Sequence, residues 1–274
     1  MNTQPTVAFI GAGNMARAII GGLLHNGFAA ERIWATGTRR EKLEDLRARG
    51  LHTTTDNVQA AGEADILILA VKPQLMKQVC EPLRDTVLQH RPLIVSVAAG
   101  IGCDSLDLWL GGDNAVVRCM PNTPSQVQTG ACGLFANHRV SAIQKTQTEQ
   151  LLSHVGIALW VEREELMHAV TAVSGSGPAY YFLFMEAMIS AGEKLGLSTD
   201  VATRLTLQTA LGAARMASES DKSPTQLRQA VTSPRGTTEQ AILSFQAAQL
   251  ETRVDDAMQA CARRSVELAQ LLRD

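Results

Sequence analysis

The feature that most limits the fold is a glycine-rich turn that directly follows a short apolar run near the start of the chain. Val7–Ile10 has the composition of a buried strand, and the turn Gly11-Ala12-Gly13-Asn14-Met15-Ala16 follows it without a gap. In a G-x-G-x-x-A turn, the first glycine allows a tight bend, the second lets a ligand approach the backbone, and the alanine lets a helix pack close to the strand. The helix start presents unpaired N–H groups and a partial positive charge to an anion. This order favours a dinucleotide-binding Rossmann fold, with a purely structural glycine turn as the alternative.

Short apolar runs alternate with amphipathic stretches up to Glu162, which predicts an α/β fold with a doubly wound parallel sheet. Four of the runs contain no charged residue, as in strands that helices cover on both faces. After Glu162, helical segments punctuated by Gly and Pro continue to the C-terminus. We therefore predict a Rossmann domain over residues 1–162 and an all-helical domain over residues 163–274. The predicted strands are Val7–Ile10, Ile33–Thr36, Ile66–Val71, Leu93–Ala98 and Ala115–Cys119, with edge strands at Gly133–Ala136 and Ala158–Glu162; the predicted helices between them are Asn14–His25, Arg40–Arg49, Leu75–Gln89, Ser105–Leu110 and Ile143–His154.

Two predicted helices of the second domain are apolar around nearly their whole circumference. They cover Ala179–Ala191 and Val201–Met216. A helix of this kind must be buried, and a body of roughly 110 residues is too thin to bury both. We expect these helices to pack against a second subunit in a homodimer.

Composition excludes several classes of protein. Lys and Arg number 25 and Asp and Glu 27, a net charge of −2, which argues against a nucleic-acid-binding protein. Apolar runs such as Ile66–Val71 are far shorter than the ~20 residues of a membrane span. The N-terminus lacks the basic region of a signal peptide. The five cysteines are scattered and form no C-x-x-C pair, so we expect no metal site and a reducing, cytoplasmic compartment.

The end of the second strand indicates which dinucleotide is bound. An acidic residue there binds the ribose 2′-hydroxyl of NAD, whereas cations accommodate the 2′-phosphate of NADP. The chain reads Thr36-Gly37-Thr38-Arg39-Arg40, with no acidic residue before Glu41. Two arginines and two hydroxyls favour NADPH through charge-assisted hydrogen bonds, with NADH as a second cofactor. The alternative is that Arg39 and Arg40 form a solvated helix start.

Further candidates follow the other strands, since ligands of such sheets bind outside the carboxyl ends of the strands. They are Ala70-Val71-Lys72-Pro73, Ala98-Ala99-Gly100 and the segment 120–124. Lys72 could bind a ribose or phosphate oxygen, although a lysine at a strand end is more often solvated.

Two stretches of the second domain combine small residues with helix starts. Ser174-Gly175-Ser176-Gly177-Pro178 interrupts a helical pattern, and we expect a new helix with exposed N–H groups to begin there. In Val231–Ile242, a Pro-x-Gly turn leads into a helix whose first turn carries two threonines. Such a start suits a carboxylate, with ordinary helix capping as the alternative for both stretches.

These blocks, in this order and over nearly the whole chain, resemble the delta-1-pyrroline-5-carboxylate reductase family. The most specific block begins at Leu227 and looks like the family pattern L-x-x-x-V-x-S-P-x-G-x-T. The resemblance implies a Rossmann domain followed by a helical dimerisation domain, in which the helices of two subunits interlock and dimers can form larger rings. It also implies reduction of (S)-1-pyrroline-5-carboxylate to L-proline with NAD(P)H.

The resemblance also assigns roles to individual residues. Thr238 is implied as the catalytic candidate, with its hydroxyl at the ring nitrogen of the substrate. Ala230 stands where some members of the family carry an asparagine that contacts substrate, so that contact is absent here. The implied substrate-binding residues are Glu164, Ser233, Gly236, Thr237 and Thr238; the implied cofactor-binding residues are Gly11, Ala12, Gly13, Asn14, Met15, Thr38, Arg39, Asn57, Ala70, Val71, Lys72, Pro73, Ala98 and Ala99.

Two other functions share parts of this pattern. A β-hydroxyacid dehydrogenase has the same layout but needs a lysine early in its second domain, where this chain has only Lys194, at the far end of a long helix. A non-catalytic NADP sensor would keep the glycine turn but has no use for the helix start after Ser233.

Overall fold

The computed structural model describes residues 4–273, so the outer ends of the predicted domains, Met1–Thr3 and Asp274, lie outside the described residues. One sheet of eight strands forms its centre, with strand order β3-β2-β1-β4-β5-β6-β7-β8. The first six strands are parallel, β7 is antiparallel to β6, and β8 is parallel to β7. The strands are β1 (Val7–Ile10), β2 (Ile33–Thr36), β3 (His52–Thr54), β4 (Ile66–Leu69), β5 (Leu93–Ser96), β6 (Val116–Met120), β7 (Gly130–Ala136) and β8 (Gly156–Trp160).

The sheet has a core on each face, because side chains alternate along buried strands. In β1, Val7 and Phe9 lie in one core, while Ala8 and Ile10 lie in the other. All four residues of β1 and of β4 are buried, as the absence of charge in these runs predicts. The prediction of a doubly wound Rossmann sheet is confirmed.

Thirteen α-helices occur among the described residues, and after β8 every regular element there is helical, as predicted. The same residues contain no helix that has both the length and the apolar character to cross a membrane. The helices are α1 (Asn14–His25), α2 (Glu44–Ala48), α3 (Asn57–Gly62), α4 (Met76–Cys80), α5 (Arg84–His90), α6 (Cys103–Trp109), α7 (Ala142–Ser153), α8 (Leu166–Val170), α9 (Gly177–Lys194), α10 (Thr199–Glu219), α11 (Pro224–Ala230), α12 (Thr237–Ala247) and α13 (Leu250–Leu271).

Several local predictions differ from the structure for identifiable reasons. The helix predicted over Leu75–Gln89 is divided by a 3₁₀ turn at Glu81–Leu83, where Pro82 lacks the N–H that an α-helix needs. Strand β3 was not predicted, because its sequence His-Thr-Thr is polar and contains no apolar run. It lies at the edge of the sheet, where it pairs only with β2. Helix α3 is only six residues long, and the carboxylate of Asp56 caps its first turn.

The helix start expected at Ser174–Pro178 is confirmed, since α9 begins at Gly177, but α8 leads into it without a loop. Thr171–Gly175 forms a π turn that joins α8 to α9, and the N–H of Ser176 donates to the carbonyl of Thr171 at 2.8 Å. A π turn absorbs an extra residue without interrupting the backbone hydrogen bonds. A Cβ at position 175 would lie 2.4 Å from Cε of Met120, so the end of that side chain would have to move to admit a larger residue. The small residues therefore serve helix packing at this point.

The chain divides into two compact units. One consists of Met1–Ser176 with Cys261–Asp274, and the other of Gly177–Ala260. Segment 163–176 and the end of α13 thus pack with the sheet, whereas the boundary predicted at 162/163 marks where the strands end. The sequence pattern shows where strands give way to helices, near residue 162. The contacts show that the chain leaves the sheet later, after Ser176.

The helical unit leaves much apolar surface exposed within a single chain. The whole of α9 buries only Gly177, and α10 buries only Ala202 and Thr206. Large apolar side chains of both helices, including Tyr181 and Leu211, are exposed. The chain alone therefore does not supply the burial that these apolar helices need.

Candidate cofactor and substrate sites

The glycine turn after β1 has the shape that a dinucleotide requires. Gly11 has a φ of +95°, and a Cβ there would lie 2.8 Å from Cγ1 of Val71 and 3.0 Å from the carbonyl oxygen of Ala70. Only glycine fits this conformation and this space. A Cβ at Gly13 would approach no protein atom closer than 4.0 Å. Gly11 is thus required by the backbone conformation and by the packing of the protein. Gly13 instead leaves open space, which a diphosphate could approach.

Helix α1 begins directly behind this turn. Its N-cap is Gly13, no side chain caps it, and its first turn contains no acidic residue. The N–H groups at this end, including those of Asn14 and Met15, carry the positive end of the helix dipole. Uncapped donors and a favourable dipole fit a diphosphate group.

Thr36, the last residue of β2, supports the glycine turn through two hydrogen bonds. The predictions from the sequence did not include this role. The Thr36 side chain is 1% exposed. Its Oγ1 accepts from the N–H of Gly11 at 3.0 Å, and its carbonyl accepts from the N–H of Ala12 at 2.8 Å. These two donors are therefore occupied, which leaves the N–H groups of Gly13 and the residues after it available to a ligand. A hydroxyl that ends an otherwise apolar strand was the signal in the sequence.

The segment after β2 carries the predicted 2′-phosphate site. Thr38, Arg39 and Arg40 are exposed, and neither arginine forms an ion pair with any carboxylate in the described part of the chain. Asn57, the first residue of α3, is half-buried. Two cations without a carboxylate partner are compatible with a bound phosphate.

The remaining cofactor candidates lie at the carboxyl ends of β4 and β5. Strand β1 pairs with β2 on one side and β4 on the other, so the strand order reverses at this point. Ligands of doubly wound sheets bind at such a switch point. Ala70–Pro73 directly follows β4, and Ala98–Ala99 follows the neighbouring strand β5 one residue after its end. The structure thus brings both segments to the same edge as the glycine turn.

Glu164 lies in a network that sequence reasoning missed. Its Oε1 accepts from Nη1 of Arg118 at 2.9 Å and from the backbone N–H of Cys103, the first residue of α6, at 2.7 Å. The Arg118 side chain on β6 is 10% exposed. The carboxylate thus pairs a nearly buried cation and caps the helix that follows Ala98–Ala99. Arg118 and Glu164 are 46 residues apart in the sequence.

His168 borders this network. Its Nδ1 lies 2.9 Å from Oγ of Ser265. Burial lowers the pKa of His168, and the positive charge of Arg118 lowers it further, against the opposing effects of Glu164 and Glu165. The neutral imidazole is therefore favoured in the folded chain.

The substrate candidates after Ser233 form one helix start in the other compact unit. The N–H of Gly236 donates to the carbonyl of Ser233 at 3.0 Å, and Gly236 is the N-cap of α12, with no side-chain cap. Thr237 and Thr238 form the first turn of α12, and both are exposed. The arrangement presents backbone donors and two hydroxyls, the chemistry that a small carboxylate needs.

No cluster of three or more His, Cys, Asp or Glu that could hold a metal ion is found within residues 4–273.

Comparison with known proteins decides the family. Residues 6–100 match the family model described as NADP oxidoreductase coenzyme F420-dependent, and residues 164–268 match the one described as pyrroline-5-carboxylate reductase dimerisation. A pyrroline-5-carboxylate reductase from Pseudomonas aeruginosa is 54% identical over 271 residues, which are 98% of this chain and 99% of that relative. The chain belongs to the pyrroline-5-carboxylate reductase family. The resemblance seen in the motifs is confirmed.

Solved structures of this family agree in fold. The pyrroline-5-carboxylate reductase of Coxiella burnetii is 46% identical, matches with a TM-score of 0.94, and the alignment covers 97% of this chain and 99% of that one. The Plasmodium falciparum enzyme, whose crystal structure has NADP bound, is 28% identical with a TM-score of 0.85 and coverages of 97% and 98%. The Rossmann domain followed by a helical dimerisation region is therefore the fold of the pyrroline-5-carboxylate reductase family.

Proposed function

We propose that the chain reduces (S)-1-pyrroline-5-carboxylate to L-proline with NADPH, the last step of proline biosynthesis, and that NADH can replace NADPH. The single observation that carries this proposal is the 54% identity, over nearly the whole of both chains, to a pyrroline-5-carboxylate reductase. The uncapped start of α1 behind Gly11 and Gly13 supports it from the side of the cofactor.

The first unit holds the cofactor in this proposal. NADPH supplies a hydride when it is bound. The first turn of α1 binds the diphosphate, Thr38 and Arg39 bind the 2′-phosphate, and Asn57 lies at the adenosine. Residues 70–73 and 98–99 line the nicotinamide half, because they follow β4, which pairs with β1 at the switch point, and its neighbour β5.

The start of α12 holds the substrate. Ser233, Gly236 and Thr237 bind the carboxylate through the helix start, where the N-cap Gly236 has no side chain to occupy the N–H groups. The carboxylate of Glu239 in the same turn accepts from the N–H of Arg235 at 2.7 Å, so that donor is not free for substrate. The hydroxyl of Thr238 has one donor and two acceptor lone pairs, so it can hydrogen-bond the ring nitrogen before and after reduction. Glu164 lies near the substrate, and a contact there uses Oε2, since Oε1 is engaged by Arg118 and Cys103.

The reaction needs one hydride and one proton. The hydride adds to the carbon of the C=N bond, and the proton ends on the nitrogen, which becomes a secondary amine. The imine takes its proton from solvent before it binds, so the chain's residues chiefly orient the ring toward the hydride donor. Thr238 is the residue that fixes the nitrogen in this scheme.

The assembly follows from the exposed apolar helices. Residues 163–274 serve as the dimerisation and substrate domain, and residues 1–162 as the NADP-binding domain. The matched dimerisation family supports association through α9 and α10, whose large apolar side chains are exposed in the single chain. Dimers assemble further into a ring.

The free thiols of the five cysteines suit a cytoplasmic location.

Oxidation of NADPH at 340 nm tests the proposed function. The purified chain should oxidise NADPH rapidly with pyrroline-5-carboxylate, and proline should accumulate in equal amount. It should not reduce NADP⁺ with β-hydroxy acids. Activity toward a β-hydroxy acid and none toward the cyclic imine would assign the related dehydrogenase chemistry instead, while NADPH binding without any turnover would indicate a sensor.

A further inference from the structure

One arginine ties the phosphate turn to the segment that carries the predicted 2′-phosphate site. Arg17 lies in α1, one turn after Gly13. Its Nε donates to the carbonyl of Ala12 at 3.1 Å. Its two terminal nitrogens donate to the carbonyl of Lys42 and to the carboxylate of Asp45. All three guanidinium nitrogens are therefore used, each on a different acceptor.

The acceptors belong to the two parts of the chain that one cofactor molecule has to reach. Ala12 is in the phosphate turn, and Lys42 is in the 3₁₀ helix Arg40–Leu43 that starts directly after Arg39. The N–H of Lys42 also donates to the carbonyl of Arg39 at 3.3 Å. A shift of the 3₁₀ helix would thus move Arg39 relative to the phosphate turn, and Arg17 opposes such a shift.

Arg17 is not arranged to bind phosphate itself. The hydrogen bond from Arg17 is the largest cause that lowers the pKa of Asp45, so this carboxylate stays ionised and neutralises the arginine. The planar fork already has acceptors in three directions. The Arg17 side chain is also only 32% exposed. Arg17 therefore links the phosphate turn to residues 42–45, while Arg39 and Arg40 face the solvent.

We infer that Arg17 is a positioning residue that sets the preference for NADPH over NADH by fixing the distance between the phosphate turn and the segment 38–42. This inference rests on the proposed 2′-phosphate site at Thr38 and Arg39. NADPH is held at both places, so its affinity depends on their spacing, whereas NADH lacks the 2′-phosphate and depends on the phosphate turn.

The test replaces Arg17 with lysine, which keeps the charge but has no planar fork to reach three acceptors. We expect Arg17→Lys to weaken NADPH binding about 3- to 10-fold, the range of one lost net hydrogen bond, and NADH binding less than about 2-fold. Dissociation constants come from titration of each cofactor by calorimetry without substrate. The kcat at saturating NADPH should stay within about 2-fold, since the loss lies in ground-state binding.

Arg139→Lys is the matched control. Arg139 is 34% exposed and pairs with Asp107 and Asp113, away from the glycine turn, so both cofactors should bind it as they bind the parent. Asp45→Asn keeps the bonds to Ala12 and Lys42 and should weaken NADPH binding about 2- to 3-fold while NADH binding stays unchanged; equal effects on the two cofactors would count against the inference. It serves as the second variant if Arg17→Lys does not fold.

Equal weakening of both cofactors by Arg17→Lys, or no weakening of either, would overturn the inference. The same holds if the parent chain binds NADPH no more tightly than NADH. These binding measurements use no pyrroline-5-carboxylate, so an absence of turnover with that substrate would refute the proposed function and leave this test intact.

Discussion

Replacement of Thr238 by alanine separates catalysis from helix capping. Thr238 is the second residue of α12, it is exposed, and within residues 4–273 its side chain makes no hydrogen bond. The substitution therefore removes no hydrogen bond of the folded chain. Alanine has the higher helix propensity, by roughly 0.5 kcal/mol, so the melting temperature should stay level or rise by about 1–2 °C.

The expected loss is confined to the reaction. If the hydroxyl aligns the ring nitrogen, one positioning contact is lost, which corresponds to roughly 10- to 1,000-fold in kcat/KM for pyrroline-5-carboxylate, or about 1.4–4 kcal/mol. The affinity for NADPH should not change, because the cofactor residues lie in the other unit. Steady-state NADPH oxidation at varied imine concentration measures the loss.

Two further variants complete this experiment. Thr238→Ser keeps the hydroxyl and should recover most of the activity. Thr225 is the matched control, because it is also the exposed second residue of its helix, α11, so Thr225→Ala should react like the parent. Should Thr238→Ala keep full kcat/KM, the hydroxyl has no part in the reaction, and substrate alignment depends on the backbone of the helix start alone.

Three other predictions concern the cofactor, the dimer and pH. Replacing Arg39 and Arg40 with alanine should raise the KM for NADPH by roughly 10- to 100-fold, equivalent to about 1.5–3 kcal/mol, and leave NADH nearly unaffected; equal effects in steady-state kinetics would contradict the assignment. Leu207→Glu places a charge on an apolar helix face, where Leu207 is 49% exposed in the single chain. Light scattering should therefore show loss of the dimer or aggregation of this variant. If the parent chain is an active monomer, the proposed interface is refuted. Burial and the charge of Arg118 lower the pKa of His168 in the folded chain from its ordinary value of 6.5. Below about pH 6.5 the unfolded chain therefore binds more protons than the folded chain does. Thermal stability should therefore be full above pH 6.5 and fall below it, with a smaller fall in His168→Gln; equal falls in both would exclude His168 as a source.

Local sequence was sufficient for the elements whose own residues decide their structure. Strand β1 and helix α1 lie where the sequence places them, because a charge-free run and a glycine turn leave few other conformations. The apolar circumference of α9 and α10 likewise predicts that these helices need a partner. The absence of acidic residues between Thr36 and Glu41 is enough to predict the type of dinucleotide.

The tertiary structure decided which polar groups meet. Thr36 and Gly11 are 25 residues apart, as are Arg17 and Lys42, while Glu164 and Arg118 are 46 apart. No periodicity or propensity encodes these pairs, because a hydrogen bond requires donor and acceptor about 3 Å apart, and only the packed sheet sets that distance. Local patterns thus determine the elements, whereas the contacts that align the cofactor segments exist only after those elements have packed.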